Sequence, residues 1–184
     1  HSIMARPVFK SWWTRIIPKE LERSSFVLLS SLCLMLLMWQ WQPVGGIVWS
    51  VENNTAKDLL FIFYLAGWGI VFISTFLINH FDLFGLRQVW LYFNGKPYTE
   101  LPFRLPGLYQ LVRHPLYLGF LIAFWSTPVM TVAHLLFALL TTGYILTAIR
   151  FEERDLITHF GEKYQSYKKW APMLIPFSKR KATK

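Results

Sequence analysis

Residues 116–149 read LYLGFLIAFWSTPVMTVAHLLFALLTTGYILTAI, 34 consecutive positions with no Asp, Glu, Lys or Arg and a single histidine, His134. At about 1.5 Å per residue, one helix of this length would far overrun a hydrocarbon core of about 30 Å. Thr127-Pro128 lies near the middle of the stretch and supplies a break. The run therefore predicts two helices, about 116–127 and 131–149, folded as a tight hairpin. Both ends of the run are charged: Arg113-His114 precedes it and Arg150-Phe151-Glu152-Glu153-Arg154 follows. A hairpin brings these clusters to one membrane face, where residues that are costly in a bilayer mark a polar binding site.

Two more stretches are long enough to span. Ser24–Gln42 carries no charge over 19 residues, and Leu59–His80 has no carboxylate, Lys or Arg over 22. The chain is 54% hydrophobic and only 16% charged. This excludes an ordinary soluble domain. The expected fold class is all-α: an integral membrane helical bundle of about four transmembrane helices, one domain over 1–184.

Basic residues orient it. Eighteen of the 19 Lys and Arg fall on one side of the four-helix arrangement, and only Lys57 falls in the loop 43–57. That side is cytoplasmic by the positive-inside rule, and Trp39, Trp41 and Trp49 sit where an outer aromatic belt belongs. The net charge of +9 is thus mainly a topology signal, with some attraction to anionic membrane lipid. The basic residues form no nucleic-acid motif, and no nucleic-acid partner is expected. Residues 1–23 and 83–93 read as interfacial segments, and the tail ends in a basic run, Lys179–Lys184. Cys33, the single cysteine, is expected to be a buried, inert thiol.

The charged clusters carry the chemistry. Pro115 suits the first position of a helix, which puts Arg113 and His114 at an N-terminus that favours an anion. Gly119 lets a ligand or a neighbouring backbone come close. Arg150, Glu153 and Arg154 fall at i, i+3 and i+4 and share a helix face, whereas Glu152 points about 100° away. One carboxylate is then expected to pair with an arginine while the other meets a different partner. The plainer readings stand beside this one: Arg150–Arg154 as a solvated helix end, Arg113-His114 as a topology anchor, Asn79-His80 as a polar helix end, and His134 as a polar group near the outer face. No HExxH, Cys/His cluster, Walker loop or dinucleotide glycine pattern occurs, so no metal site is expected.

Taken together, Arg113-His114-Pro115-x-Tyr117-x-Gly119, Arg150-x-Glu152-Glu153, Phe160-Gly161-Glu162-x-Tyr164-x-x-Tyr167, Pro172 and Pro176 resemble the isoprenylcysteine carboxyl methyltransferase and phospholipid methyltransferase superfamily. The shared pattern covers about 110–176. His1-Ser2-Ile3-Met4-Ala5-Arg6, Trp39-Gln40-Trp41-Gln42-Pro43 and Asn79-His80-Phe81-Asp82-Leu83-Phe84-Gly85 are similar to a bacterial branch of it, the NnrU-like proteins and methanethiol S-methyltransferases. In that branch similar sequence follows one or two further N-terminal helices.

The resemblance implies an S-adenosylmethionine-dependent enzyme of the bacterial inner membrane, with its cofactor site in 110–176 open to the cytoplasm. Arg113, His114, Tyr117, Gly119, Glu152 and Glu153 would line the cofactor. Asn79 and Arg113 would meet a small thiol, with His80 as its proton acceptor and Arg150 or Arg113 stabilising the thiolate. The implied reaction converts methanethiol to dimethyl sulfide. A prenylcysteine carboxylate or lipid amine is the alternative acceptor, and a non-enzymatic NnrU-like accessory role is the alternative to catalysis. Oligomeric state is left open.

Overall fold

A computed structural model describes residues 7–42 and 45–176. In chain order the elements are α1 Pro7–Trp13, α2 Glu22–Trp39, β1 Ile47–Ser50, α3 Asn54–Ile78, α4 His80–Leu83, α5 Leu86–Phe93, α6 Pro115–Trp125, β2 Val129–Thr131, α7 Val132–Phe160 and α8 Glu162–Trp170. The protein is all-α apart from one two-stranded ribbon. Three helices are long and apolar enough to cross a membrane: Lys19–Trp39, Asn54–Ile78 and Val132–Phe160. It is an integral membrane protein by that criterion. The expectations for His1–Arg6, for Pro43 and for the basic run Lys179–Lys184 lie outside the described residues.

The chain divides into two compact units, one formed by 1–42 and 78–101, the other by 43–77 and 102–184. In the first, α2 has no buried residue, as expected for a helix that is hydrophobic all round. Cys33 is exposed on it, correcting the expectation of a buried thiol, because no residue of this helix is buried by the rest of the described protein. Short polar contacts tie the rest of this unit. Arg23 Nε donates to Leu83 O at 2.7 Å, and Arg87 Nη1 pairs with Asp82 at 2.9 Å. Asn79 Oδ1 accepts from Asp82 N at 3.1 Å, capping α4. Of the segment 83–93, Leu86–Phe93 form the helix α5, with Leu86, Trp90 and Phe93 exposed at i, i+4 and i+7.

The second unit contains the hairpin, whose first helix, expected at about 116–127, is α6, Pro115–Trp125. The helix α6 has 11 residues, about 16 Å, which is too short to cross. The break before Pro128 is where the sequence puts it, and the chain then runs extended through β2 before turning into α7. Alone in an apolar setting, that extended backbone would have unsatisfied polar groups. The loop after α2 supplies partners: Ile47 aligns with Thr131, Trp49 with Met130 and Ser50 with Val129 in an antiparallel ribbon. Val51 N and Val132 N extend it to Pro128 O and Gly46 O, at 2.9 and 3.0 Å. Loop 43–57 therefore holds a strand where only a loop is expected.

On the return path α7 begins at Val132, close to the expected 131. It continues through the charged cluster to Phe160, 29 residues in all. Trp125 Nε1 donates to Thr142 Oγ1 at 3.0 Å and His134 Nε2 lies 2.9 Å from Phe124 O. His134 thus serves the hairpin tip. At the other end Ile145 and Ile149 pack with Leu174 under Tyr117, Leu118, Phe120 and Leu121.

Gly119 serves the packing of α6 against α3. A Cβ added there would meet Gly67 O at 2.7 Å and Val71 N at 2.9 Å, and one added at Gly67 would meet Ala123 N at 2.6 Å. Of the two uses expected for Gly119, the structure shows the close approach of a neighbouring backbone. Gly119→Ala is expected to cost about 1–3 kcal/mol by forcing the helices apart. Thermal unfolding in detergent measures this, and an unchanged midpoint would mean the contact has slack.

Candidate functional site

At the charged end of the hairpin, three segments converge. Residues 113–114 form an irregular piece immediately before α6. Arg113 N donates to Pro172 O at 2.8 Å and His114 N to Met173 O at 3.2 Å, so the chain after α8 lies alongside them. Pro115 occupies the start of α6, and no side chain caps that end. Gly161, at φ +57°, makes the corner between α7 and α8 that a residue with a Cβ adopts poorly. The turn folds α8 back so that Tyr164, Tyr167 and Ala171 pack with Phe103, Leu105 and Phe160. The Tyr167 hydroxyl then donates to Tyr109 O and Val112 O, which fixes the approach to Arg113.

Glu153 stands at the centre of this arrangement. Its side chain is 8% exposed. Arg113 Nε donates to its Oε1 at 2.7 Å, Lys168 Nζ reaches its Oε2 at 2.6 Å, and His114 Nε2 lies 3.2 Å from Oε1. Arg113 Nη1 further donates to Lys168 O and Ala171 O. The guanidinium therefore stitches the α7 carboxylate to the end of α8. One carboxylate does pair with an arginine, and that arginine is Arg113 from before α6 rather than Arg150 or Arg154 of the same helix. Arg150 and Arg154 lie on the exposed flank of the helix, whereas Glu153 follows Ile149 into the interior. Partners for Glu153 accordingly come from other elements.

Glu152 is placed differently. Its side chain is 45% exposed, and its Oε2 lies 4.0 Å from His114 Nδ1. The Tyr117 hydroxyl is beside it. His114 is itself buried, 4% exposed, with one ring nitrogen toward each carboxylate. Burial pulls its pKa below the usual histidine value, outweighing the opposing pull of Glu152 and Glu153, and Arg113 adds to the lowering. The imidazole is neutral near pH 7 as a result. Burial likewise raises the Tyr109, Tyr164 and Tyr167 hydroxyls, keeping them protonated. The Tyr164 hydroxyl, buried among these groups, has no hydrogen-bond partner among the described residues.

Arg113, His114, Tyr117, Glu152 and Glu153 are thus brought together as the sequence predicts. Arg150 is exposed on the same helix, one turn before Glu153. Asn79 and His80 belong to the other unit, where Asn79 caps α4 and His80 packs its ring on Phe84 at 4.7 Å between centroids. Lys168 escapes the sequence reading. Its signal was available: Tyr164, Tyr167 and Lys168 fall at i, i+3 and i+4, so the two buried tyrosines carry the lysine onto the same face. No group of three or more potential metal-ligating side chains occurs among the described residues.

This donor set suits a ligand with a cationic or hydroxyl-bearing end. A carboxylate already satisfied by three donors has little to offer such a ligand, whereas Glu152 has open acceptor sites beside an aromatic hydroxyl and a neutral imidazole. Glu153→Gln should cost about 3–5 kcal/mol, because it strands the buried Arg113 charge. Glu152→Gln should stay within about 0.5 kcal/mol. Paired unfolding curves in one detergent decide this, and equal losses would remove the distinction drawn between the two carboxylates.

The chain is 58% identical over 182 residues to the methanethiol S-methyltransferase of Crocosphaera subtropica, covering 99% of this chain and 71% of that protein. It is 52% identical over 180 residues to the methanethiol S-methyltransferase of Mycobacterium tuberculosis, covering 98% and 74%. Nurim of Sus scrofa is a more distant relative, 30% identical over 164 residues, covering 85% and 62%. No protein-family model and no solved structure matches the chain.

Proposed function

Because the chain belongs to the methanethiol S-methyltransferase family, we propose that it methylates a small thiol, converting methanethiol to dimethyl sulfide, with S-adenosylmethionine as the methyl donor. The observation that carries the site assignment is the division of labour between two adjacent carboxylates, Glu153 saturated within the protein and Glu152 half exposed beside His114.

The residues present fit that donor. Bound S-adenosylmethionine would supply an electrophilic methyl group on a sulfonium centre. Glu152 would hold its ammonium or ribose hydroxyls through charge-assisted hydrogen bonds. Tyr117 offers an aromatic face to a sulfonium. Arg113, engaged at Nε and Nη1 with Glu153 and the carbonyls of Lys168 and Ala171, ties the segment before α6 to α7 and to the end of α8. Methyl transfer asks the protein mainly for alignment and for exclusion of water. The apolar packing of Tyr117, Leu118 and Leu121 against Ile145 and Ile149 supplies a dry side from which a small apolar thiol can approach.

The distribution of basic residues supports a cytoplasmic site in the bacterial inner membrane. A soluble donor then reaches Glu152 from the aqueous side, while a thiol that partitions into lipid arrives through the bilayer.

Dimethyl sulfide in the headspace over purified protein supplied with methanethiol and S-adenosylmethionine tests the reading, with Glu152→Gln as the comparison. Product is expected from the wild type. The variant should lose about tenfold or more in affinity for S-adenosylhomocysteine, as expected for a charge-assisted contact of about 1.5–3 kcal/mol. No product from a folded protein that binds S-adenosylhomocysteine would exclude methanethiol and leave the larger acceptors. Neither product nor binding would favour the accessory role.

A further inference from the structure

Methylation of a thiol requires that the sulfur lose its proton, because the thiolate is the nucleophile. The cluster contains a group placed to take it. Glu153 is bound by Arg113 and Lys168, at 2.7 and 2.6 Å. Both are donors only, so the carboxyl group between them is ionised and can only accept. His114 Nε2, 3.2 Å from the same carboxylate, must then carry the ring proton. In the neutral imidazole this leaves the lone pair on Nδ1. Nδ1 points to the Glu152 side of the ring, 4.0 Å from Oε2, and no hydrogen bond engages it among the described residues. Its neighbours are a carboxylate and an aromatic hydroxyl, and the cationic groups Arg113 and Lys168 lie behind, on Glu153.

We infer that His114 is the general base of the reaction, with Nδ1 accepting the thiol proton and with Glu153, Arg113 and Lys168 as the positioning residues that fix its tautomer. The inference rests on the thiol-methylation reading above. The step balances without a further reactant. The S–H proton passes to Nδ1 and the sulfur pair forms the new S–CH3 bond. The bond from that methyl to the donor sulfonium breaks, and its electrons remain on the donor sulfur as a thioether. The resulting imidazolium lies between Glu152 and Glu153, which hold its charge until the proton leaves by the half-exposed Glu152 side. Burial favours the neutral ring, so the base is in its active form near pH 7. Protonation at lower pH removes it, and the rate should rise with pH through the His114 titration.

His114→Gln in the full-length protein tests this, since the amide can still donate to Glu153 but has no basic nitrogen. Turnover is compared at saturating S-adenosylmethionine, and affinity for S-adenosylhomocysteine, measured by calorimetry, should fall much less than turnover, although His114 stands beside Glu152. Turnover of methanethiol should fall about 10²-fold or more, the usual contribution of a general base. The defect should shrink at least about tenfold with trifluoroethanethiol, a thiol acidic enough to ionise without help, because the base is then not needed. Imidazole 15N resonances of the wild type should show the proton on Nε2. Equal losses with both thiols, a proton on Nδ1, or a loss of turnover matched by lost cofactor affinity would each overturn the assignment. A wild type that methylates neither thiol would instead overturn the functional reading and the base with it, whereas active wild type with an equally active variant would overturn the base alone.

Discussion

The buried carboxylate of Glu153 is the constraint on which the site depends. An ionised group with so little exposure is tolerated only if its charge and lone pairs are met. Meeting them draws Arg113 from the segment before α6, Lys168 from α8 and His114 from the helix start into one place. The same contacts fix the path of the chain after α8, because Arg113 also donates to Lys168 O and Ala171 O. The groups that hold the segment after α8 are also the ones in contact with the carboxylate that the His114 ring faces.

Adjacent identical residues take opposite roles for a geometric reason. Successive positions on a helix are about 100° apart. When Ile149 and Glu153 turn inward, Glu152 is rotated to the edge of the packed face. The pair Glu152-Glu153 is visible in the sequence, but the helical wheel does not say which of the two faces the interior. That depends on where α6 and α8 lie against α7. Lys168 shows the same limit. Its helix could be inferred, but not the carboxylate it would reach.

The hairpin illustrates a second limit. Thr127-Pro128 marks the break, and 34 residues without Asp, Glu, Lys or Arg mark the membrane run. Helices at about 116–127 and 131–149 are the expectation, and α6 matches the first closely, but between Trp125 and α7 the chain runs extended through Val129–Thr131. Such a path is stable only because Ile47–Ser50 pairs with it, and the pairing partner is some 80 positions away in sequence. Hydropathy reports whether a residue prefers lipid to water. It carries no information about which distant backbone will satisfy an open N–H or C=O group.

By itself the sequence determined the membrane class, the long apolar runs, the break at Pro128 and the list of polar residues that could meet a ligand. These are properties of composition and local periodicity, and each is set by the cost of placing charge or open backbone in an apolar medium. Tertiary structure decided the strand within loop 43–57, the use of Gly119 in helix packing, the recruitment of Lys168 and the assignment of Glu153 to the interior and Glu152 to the open side. These depend on contacts between residues far apart along the chain, where one buried charge selects its partners by distance and geometry.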